Sequence, residues 1–274
     1  MESAGAIEGP QSDSLDFVEV ARPGGAGAPW RIARRIRRAR DGGRNRPGLV
    51  WLTGFGSDMR GLKAERIDAF ARESGRAFLR FDYSGHGESD GAFEDGAIGD
   101  WLEQSLAVFD ASTEGPQIVI GSSMGAWIAL LLARRLAERG QTRRLRALVL
   151  LAPAVDFTEE LIWRTLSAKA RRDLETAGVW RRPSDYSAET QPITRRLIEE
   201  GRRHLLMGGA IRAYAPVHIL QGMADRDVPW RHALALAERL PLDPFVLTFV
   251  SDGDHRLSRE ADLRRLIATL DAID

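Results

Sequence analysis

The segment VIGSSMGAW, residues 119–127, contains two serine hydroxyls between two glycines, and a serine hydroxyl is a potential nucleophile. It is a poor nucleophile at neutral pH, so it needs a neighbouring general base that is itself oriented by an acid. The run QIVI, residues 117–120, predicts a buried strand before the serines, and the apolar periodicity after them predicts a helix. The sequence therefore places a G-x-S-x-G motif at a strand-to-helix turn, where a nucleophile elbow is found.

The positions of the glycines distinguish the two serines. A nucleophile elbow needs small residues two positions before and after the nucleophile, because strand and helix approach each other closely there. Ser123 has Gly121 and Gly125 at those positions, whereas Ser122 would have large side chains at both. We therefore predict that Ser123 is the nucleophile.

The base is sought among only five histidines. In a nucleophile-elbow fold the chain order is Ser, then Asp or Glu, then His. His255 lies in SDGDHRLS, between the last predicted strand and the last predicted helix, which is where that order requires the base. The other four histidines precede the serine or lie in an insert, a strand and a helix, and we interpret them as structural or surface residues.

The acid is expected on the loop that follows an earlier strand. The segment ILQGMADRDVPW, residues 219–230, leaves a strand through Gly222 and offers Asp225 and Asp227. Asp225 has the better distance beyond the strand end and is the favoured acid. Asp227 remains the alternative, with a solvated loop charge as its simpler interpretation.

Acyl transfer also requires hydrogen-bond donors aimed at the developing oxyanion. The backbone N–H of Met124 directly follows the nucleophile at a helix N-terminus, where the helix dipole adds to its effect. The backbone N–H of Phe55, after Gly54 at the end of LVWLTG, is the predicted second donor.

Strand and helix patterns alternate along the chain. Several strands are continuously apolar, which suits a mostly parallel sheet covered by helices on both faces, so we predict an α/β, doubly wound fold of about eight strands. Residues 15–153 and 216–274 form the predicted core. Residues 154–215 contain helical patterns but no convincing strand, and we predict a helical lid insert there.

Longer motifs resemble the α/β-hydrolase superfamily, and within it the hydrolase-domain-containing protein ten branch. They are RFDYSGHGESDG (80–91), GPQIVIGSSMGAW (115–127), GVW with PSDYS (178–187), QGMADRDVPW (221–230) and DHRLSREADLRRL (254–266). The resemblance implies an acyl-protein thioesterase or acyl-glucuronide esterase with Ser123, Asp225 and His255 as its triad. It also implies a small-molecule or acylated-protein substrate and no cofactor or metal. One departure is Thr53-Gly54, where many superfamily members have His-Gly.

The insert offers candidate substrate-binding residues. Trp163 and other apolar side chains of the insert are candidates for the roof of an acyl pocket, although residues at helical spacing are usually core. Arg202 and Arg203 are candidates for binding a glucuronate carboxylate, although a solvated helix face is the simpler interpretation.

Two other functions stay open from the sequence. One is a C–C bond hydrolase that uses the same triad on a ring-cleavage dienoate. The other is a catalytically silent binding module. The sequence does not predict an oligomeric state.

Composition limits the other classes of function. Lys+Arg and Asp+Glu are both 39, and the basic run RIARRIRRAR at 31–40 has no interleaved aromatics, so we predict no nucleic-acid partner and interpret the run as a solvated edge strand or hairpin arm. The longest apolar runs are too short for a membrane span. The acidic N-terminus, whose residues 1–14 are predicted to be flexible, does not resemble a targeting segment, so we expect a cytoplasmic protein.

Overall fold

The computed structural model describes residues 14–25, 27–40, 42–183 and 190–273. The N-terminal segment predicted to be flexible therefore lies, except for its last residue, outside the described residues. Within the described ranges the strands are β1 (Leu15–Val20), β2 (Trp30–Arg37), β3 (Gly48–Leu52), β4 (Phe78–Phe81), β5 (Gln117–Ser122), β6 (Leu145–Leu151), β7 (Val179–Arg182), β8 (Gln191–Thr194), β9 (Val217–Gly222) and β10 (Phe245–Val250). The α-helices are α1 (Leu62–Ser74), α2 (Ile98–Ser112), α3 (Met124–Glu138), α4 (Ala168–Ala177), α5 (Arg195–Gly201), α6 (Trp230–Glu238) and α7 (Glu260–Asp271).

Eight strands form one sheet in the spatial order β1-β2-β4-β3-β5-β6-β9-β10. The six strands from β4 to β10 in that order pair in parallel, and the β1–β2 hairpin is antiparallel to β4. The predicted mostly parallel α/β sheet is therefore confirmed. Because the parallel strands all end at the same edge, the loops after β3, β5, β9 and β10 meet there.

Helices cover both faces of the sheet, and β5 illustrates the consequence for the sequence. Its Val119 belongs to the hydrophobic cluster that contains α2, α3 and α6 residues. Ile118 and Ile120 belong to the cluster on the opposite face, which contains α1 and α7 residues. A strand buried on both faces is continuously apolar rather than alternating, which explains the run QIVI.

The run of basic residues forms β2, which is a hairpin arm but not an edge strand, because β1 covers it. Its Ile32 and Ala33 are fully buried. Its arginines reach carboxylates: Arg34 lies 2.7 Å from Asp16. Arg35 and Arg37 likewise pair with Glu88 and Asp68, which lie outside the hairpin. Because β1 covers β2, the edge interpretation of the run was wrong.

Residues 154–215 contain a two-stranded antiparallel hairpin in addition to helices. In the hairpin β7 pairs with β8, and residues 184–189 between them are outside the described residues. Strands of four residues are too short to show alternation, and β8 contains Pro192, a residue that is confined to edge strands and bulges. The expectation of an insert without strands therefore missed this hairpin.

Side chains of the insert anchor it to the core. Arg196 of α5 lies 2.7 Å from the carboxylate of Asp100, at the start of α2. Glu200 accepts a hydrogen bond from the N–H of Gly99 at 3.0 Å. None of the helices in the described ranges is long and apolar enough to cross a bilayer.

Candidate active site

Ser123 lies on a strained turn between β5 and α3, with φ 55° and ψ −117°. Non-glycine residues rarely adopt a positive φ, and such strain is concentrated at functional sites. A Cβ at Gly121 would lie 2.3 Å from the carbonyl oxygen of Gly125, and a Cβ at Gly125 would lie 2.1 Å from that of Leu52. The two glycines therefore permit the contact between strand and helix that exposes this serine. Ser122, in contrast, is the last residue of β5.

Three predicted side chains form one hydrogen-bonded chain. The Nε2 of His255 lies 3.1 Å from the Oγ of Ser123, and its Nδ1 lies 2.8 Å from the Oδ2 of Asp225. Because an ionised carboxylate only accepts hydrogen bonds, Nδ1 carries the proton and Nε2 is free to accept the serine hydroxyl. The structure therefore brings Ser123, His255 and Asp225 together in the order that nucleophile, base and acid require.

The carboxylate of Asp225 is fully buried, and other donors hold it in place. Its Oδ1 accepts the N–H groups of Asp227 and Val228 at 2.9 and 2.8 Å. Its Oδ2 accepts the side-chain amide of Gln221 at 3.2 Å. Asp227 instead pairs with Arg182 at 2.9 Å, so the geometry favours Asp225 over Asp227 as the acid.

The loop that carries His255 is held from two sides. A Cβ at Gly222 would lie 2.3 Å from the carbonyl oxygen of Gly253, so the end of β9 and the histidine loop are in close backbone contact. On the other side, the ammonium group of Lys63 donates a hydrogen bond to the carbonyl oxygen of Arg256. Burial lowers the pKa of Lys63 to about 8. These contacts fix the position of the imidazole relative to Ser123.

Two backbone N–H groups flank Ser123. Met124 is the first residue of α3, and the first N–H groups of a helix have no acceptor within it. Phe55 follows Gly54, whose Cβ position lies 3.4 Å from the Cβ of Ser123. Among the residues that the structure describes, no acceptor receives the N–H of Phe55. The positions of both groups fit the predicted oxyanion donors.

A cavity of about 710 Å³ opens beside Ser123 and His255. The apolar side chains that the insert contributes to its wall include those of Phe157, Leu161 and Ile162. Cationic side chains also line it: Lys63, Arg182, Arg226 and Arg256. The cavity therefore offers an apolar wall for an acyl chain and a charged region around it.

The predicted substrate-binding residues do not line this cavity: Trp163, Arg202 and Arg203 all lie outside its wall. Trp163 packs against the guanidinium groups of Arg171 and Arg202, at 5.2 and 4.8 Å. Arg202 also pairs with Glu159 at 2.8 Å. Arg203 is exposed. Helical spacing alone did not reveal which face of the insert turns toward Ser123.

In the described part of the chain, one group of side chains has spacing suitable for a metal ion. Asp225, Asp227 and His255 each offer a ligand atom within 4.8 Å of the others. Asp225 and His255 are already bonded to each other, and Asp227 is paired with Arg182. The donor set is therefore already engaged in a hydrogen-bonded pair and an ion pair.

Two residues beside the site were missed by the sequence interpretation. His86, interpreted as structural, accepts the N–H of Gly56, and Gln191 donates to the carbonyl oxygen of Phe55. Only the motif GHGESDG around His86 gave a signal, and it did not indicate a partner. Gln191 lies in the hairpin that the sequence did not predict.

Comparisons with known proteins agree with this fold. Residues 47–269 match the model of the alpha/beta hydrolase family. The chain is 35% identical over 226 residues to mitochondrial palmitoyl-protein thioesterase ABHD10 of Mus musculus, covering 82% of this chain and 74% of the relative. For the protein of the same name from Homo sapiens the identity is 34%, covering 82% and 72%. The resemblance inferred from the motifs is confirmed.

Solved structures give the same result. A putative hydrolase from Agrobacterium vitis S4 is 44% identical, with a TM-score of 0.89, covering 95% of this chain and 99% of that one. Mouse alpha/beta hydrolase domain-containing protein 10 is 32% identical, with a TM-score of 0.81, covering 94% and 97%.

The relatives also correct one expectation and exclude one alternative. The expected cytoplasmic location is wrong, because the curated relatives are named as mitochondrial proteins, and the composition of the N-terminus was an insufficient guide. Their names and family make this chain a hydrolase of the esterase or thioesterase class rather than a silent binding module. By the family match and by these identities, the chain belongs to the alpha/beta hydrolase family.

Proposed function

We propose that this hydrolase cleaves acyl thioesters or esters through an acyl-enzyme on Ser123, with His255 as base and Asp225 as acid. The observation that carries the proposal is the hydrogen-bonded chain from Asp225 through His255 to Ser123, at the wall of a cavity. A serine hydroxyl in this setting is activated because the imidazole accepts its proton during attack.

The mechanism follows from the positions of these groups. The Oγ of Ser123 forms a bond to the acyl carbonyl carbon, and its proton passes to the Nε2 of His255. The N–H groups of Met124 and Phe55 stabilise the negative charge on the carbonyl oxygen. The bond between the acyl carbon and the leaving sulfur or oxygen then breaks, and His255 gives its proton to the leaving group.

Water completes the cycle. His255 accepts a proton from a water molecule as that water attacks the acyl-enzyme, and the proton returns to Ser123 as the carboxylic acid leaves. Asp225 holds the tautomer of the imidazole through both steps and stabilises its cationic form. No cofactor enters this reaction.

Acyl thioesters are the favoured substrate class. Two features support this choice: relatives at about 35% identity are named palmitoyl-protein thioesterases, and the insert lines the cavity with Phe157, Leu161 and Ile162. An apolar wall beside the nucleophile stabilises an acyl chain through burial of its methylene groups. The acyl donor is a small molecule or an acylated protein, and acyl glucuronides are the ester alternative.

A substrate panel tests the proposal. Purified enzyme is assayed with p-nitrophenyl esters of increasing chain length, acyl-CoA thioesters, an acyl glucuronide and a vinylogous diketo acid. Hydrolysis of thioesters and esters that is lost in Ser123→Ala supports the proposal. Turnover of the diketo acid alone would support the C–C bond hydrolase instead, and hydrolysis retained by Ser123→Ala would overturn the assignment of the nucleophile.

A further inference from the structure

The peptide group between Phe55 and Gly56 is held at both of its polar atoms. Its N–H, from Gly56, donates to the Nε2 of His86 at 3.1 Å. Its carbonyl oxygen, from Phe55, accepts the side-chain amide of Gln191 at 3.3 Å. Because a peptide unit is planar and rigid, two contacts on opposite sides fix its orientation.

This peptide is the central unit of a tight turn. The N–H of Ser57 donates to the carbonyl oxygen of Gly54 at 3.1 Å, which closes a four-residue turn. Gly56, the third residue of the turn, has φ 70°, as the type II turn requires. Type I and type II turns differ by a flip of the central peptide, so the contacts to His86 and Gln191 select one of the two.

The turn determines the direction of the predicted oxyanion donor. The carbonyl group of Gly54 and the N–H of Phe55 belong to one trans peptide and point in opposite directions. Since the carbonyl group is bonded to Ser57, the N–H of Phe55 points away from the turn. The ring of Phe55 is packed against Phe93 and Phe157, with centroids at 4.7 and 5.6 Å, which restricts the same residue further.

The Nε2 of His86 is held in the unprotonated form that accepts the N–H of Gly56. It is 4% exposed, and its Nδ1 lies 3.1 Å from the carbonyl oxygen of Ser84. That carbonyl requires a proton on Nδ1, which leaves Nε2 as an acceptor. Burial among the rings of Tyr83, Phe93 and Trp101 lowers the pKa of His86 to about 4, so the ring is neutral at physiological pH.

Gln191 connects the turn to the insert. It is the first residue of β8, so its contact with Phe55 joins the hairpin to the loop after β3. A Cβ at Gly56 would lie 2.8 Å from its Nε2, so the amide packs closely against the turn. A shift of the hairpin would therefore move the hydrogen-bond donor to the peptide between Phe55 and Gly56.

We infer that His86 and Gln191 are positioning residues that hold the 54–57 turn so that the N–H of Phe55 stabilises the oxyanion, and that the hairpin of the insert thereby takes part in catalysis. The inference rests on the proposed function, because it assigns Phe55 a donor role in that reaction. Neither residue touches the reacting atoms. Their effect is on where the turn, and with it the donor N–H of Phe55, lies relative to Ser123, and it appears in the transition state rather than in substrate binding.

Variants of Gln191 test this inference. Gln191→Met keeps the length of the side chain but removes its donor. The matched control is Arg181→Met, which removes a hairpin-to-core ion pair with Glu94 at 3.2 Å and leaves the turn untouched. With p-nitrophenyl butyrate we expect Gln191→Met to lower kcat by about tenfold with KM unchanged, less than the loss of an oxyanion donor itself. The control keeps the wild-type kcat.

A second readout separates positioning from a structural role. An alkyl trifluoromethyl ketone adds to the serine and forms an oxyanion, so its inhibition constant should rise in Gln191→Met by the same factor by which kcat falls. In His86→Leu, which lacks an acceptor, kcat falls, and in His86→Gln, which keeps an acceptor, most of it returns.

The outcomes are distinguishable. Wild-type kcat and inhibitor affinity in Gln191→Met overturn the inference, and so does a fall in kcat without a change in inhibitor affinity. If His86→Leu does not fold, the Gln191→Met result decides. Failure of the proposed function has a different signature, which is equal activity in wild type and Ser123→Ala.

Discussion

The Oγ of Ser123 lies 3.1 Å from the Nε2 of His255, although 132 positions separate the two residues in the chain. The sheet produces this contact, because β5 and β10 are parallel and Ser123 and His255 follow their carboxyl ends. In open α/β sheets, ligands bind at this edge. The distance between Ser123 and His255 in the proposed relay is therefore set by the parallel arrangement of β5 and β10 in the sheet.

The first prediction concerns the nucleophile. Ser123→Ala should lower kcat by a factor of about 10³ or more, because the remaining groups give only binding and oxyanion stabilisation. The matched control is Ser122→Ala, which removes a hydroxyl from the preceding residue. Steady-state kinetics give kcat for both variants, and thermal unfolding gives their Tm. Equal losses in the two variants, or a large change in Tm for Ser123→Ala, would contradict the assignment.

The second prediction separates the two aspartates. Asp225→Asn should lower kcat by a factor of about 10³ to 10⁴, since an amide cannot hold the imidazole in the required tautomer. Asp227→Asn removes only the ion pair with Arg182, and we expect kcat within about tenfold of wild type, because exposed or half-exposed pairs contribute little. Steady-state kinetics near pH 8 measure both. A larger loss in Asp227→Asn would reverse the choice.

Much of the fold and of the candidate site could be predicted from short patterns. The run QIVI predicted β5, and the glycines at 121 and 125 selected Ser123, because a close backbone contact leaves a signature in the local sequence. Chain order then predicted Asp225 and His255. These features depend on residues within a few positions of a strand end, where the fold limits which residue types can be accommodated.

Other features depend on contacts that no local pattern encodes. The hairpin of β7 and β8 is too short for periodicity, and the role of Gln191 depends on a partner 136 positions away. Trp163 and Arg202 were candidates because of their types, but their orientation is set by how the insert packs, and they bind each other instead. The expectation of a cytoplasmic location rested on composition alone, and the mitochondrial names of the relatives contradict it.

The third prediction tests the close contact at the elbow. Gly125→Ala should lower the free energy of unfolding by about 3 kcal/mol or more, because its Cβ would meet the backbone of Leu52, which cannot move aside. Gly140→Ala is the matched control. Gly140 has φ 69° and open space around its Cβ position, so only the backbone strain of about 1 kcal/mol is expected. Urea unfolding of both variants measures the difference, and equal losses would argue against steric contact.

The fourth prediction concerns the arginines of the insert. Arg202→Ala should leave the ratio of kcat/KM for an acyl glucuronide to that for an acyl thioester unchanged. The reason is that Arg202 pairs with Glu159 and packs on Trp163 rather than lining the cavity. Assays of both substrates with wild type and variant check this. A selective loss of glucuronide hydrolysis would place Arg202 at the substrate and contradict the structure.

The fifth prediction concerns the buried imidazole of His86 and the dependence of stability on pH. Burial lowers the pKa of His86 from 6.5 to about 4 in the folded protein. Between these values the unfolded chain binds more protons than the folded one, so this group makes stability fall as pH falls through that window. The full effect below pH 4 is about 3 kcal/mol, at about 1.4 kcal/mol for each pKa unit.

His86→Gln isolates this contribution, because glutamine does not titrate and keeps an acceptor for the N–H of Gly56. Asp156, whose pKa burial raises to about 6, has the opposite dependence, since its folded state binds more protons and gains stability as pH falls. It is present in both proteins, so its contribution cancels in their difference. Urea unfolding from pH 7 to pH 4 should therefore show wild type losing stability relative to His86→Gln. A difference that is constant with pH would mean that His86 is not held neutral by burial.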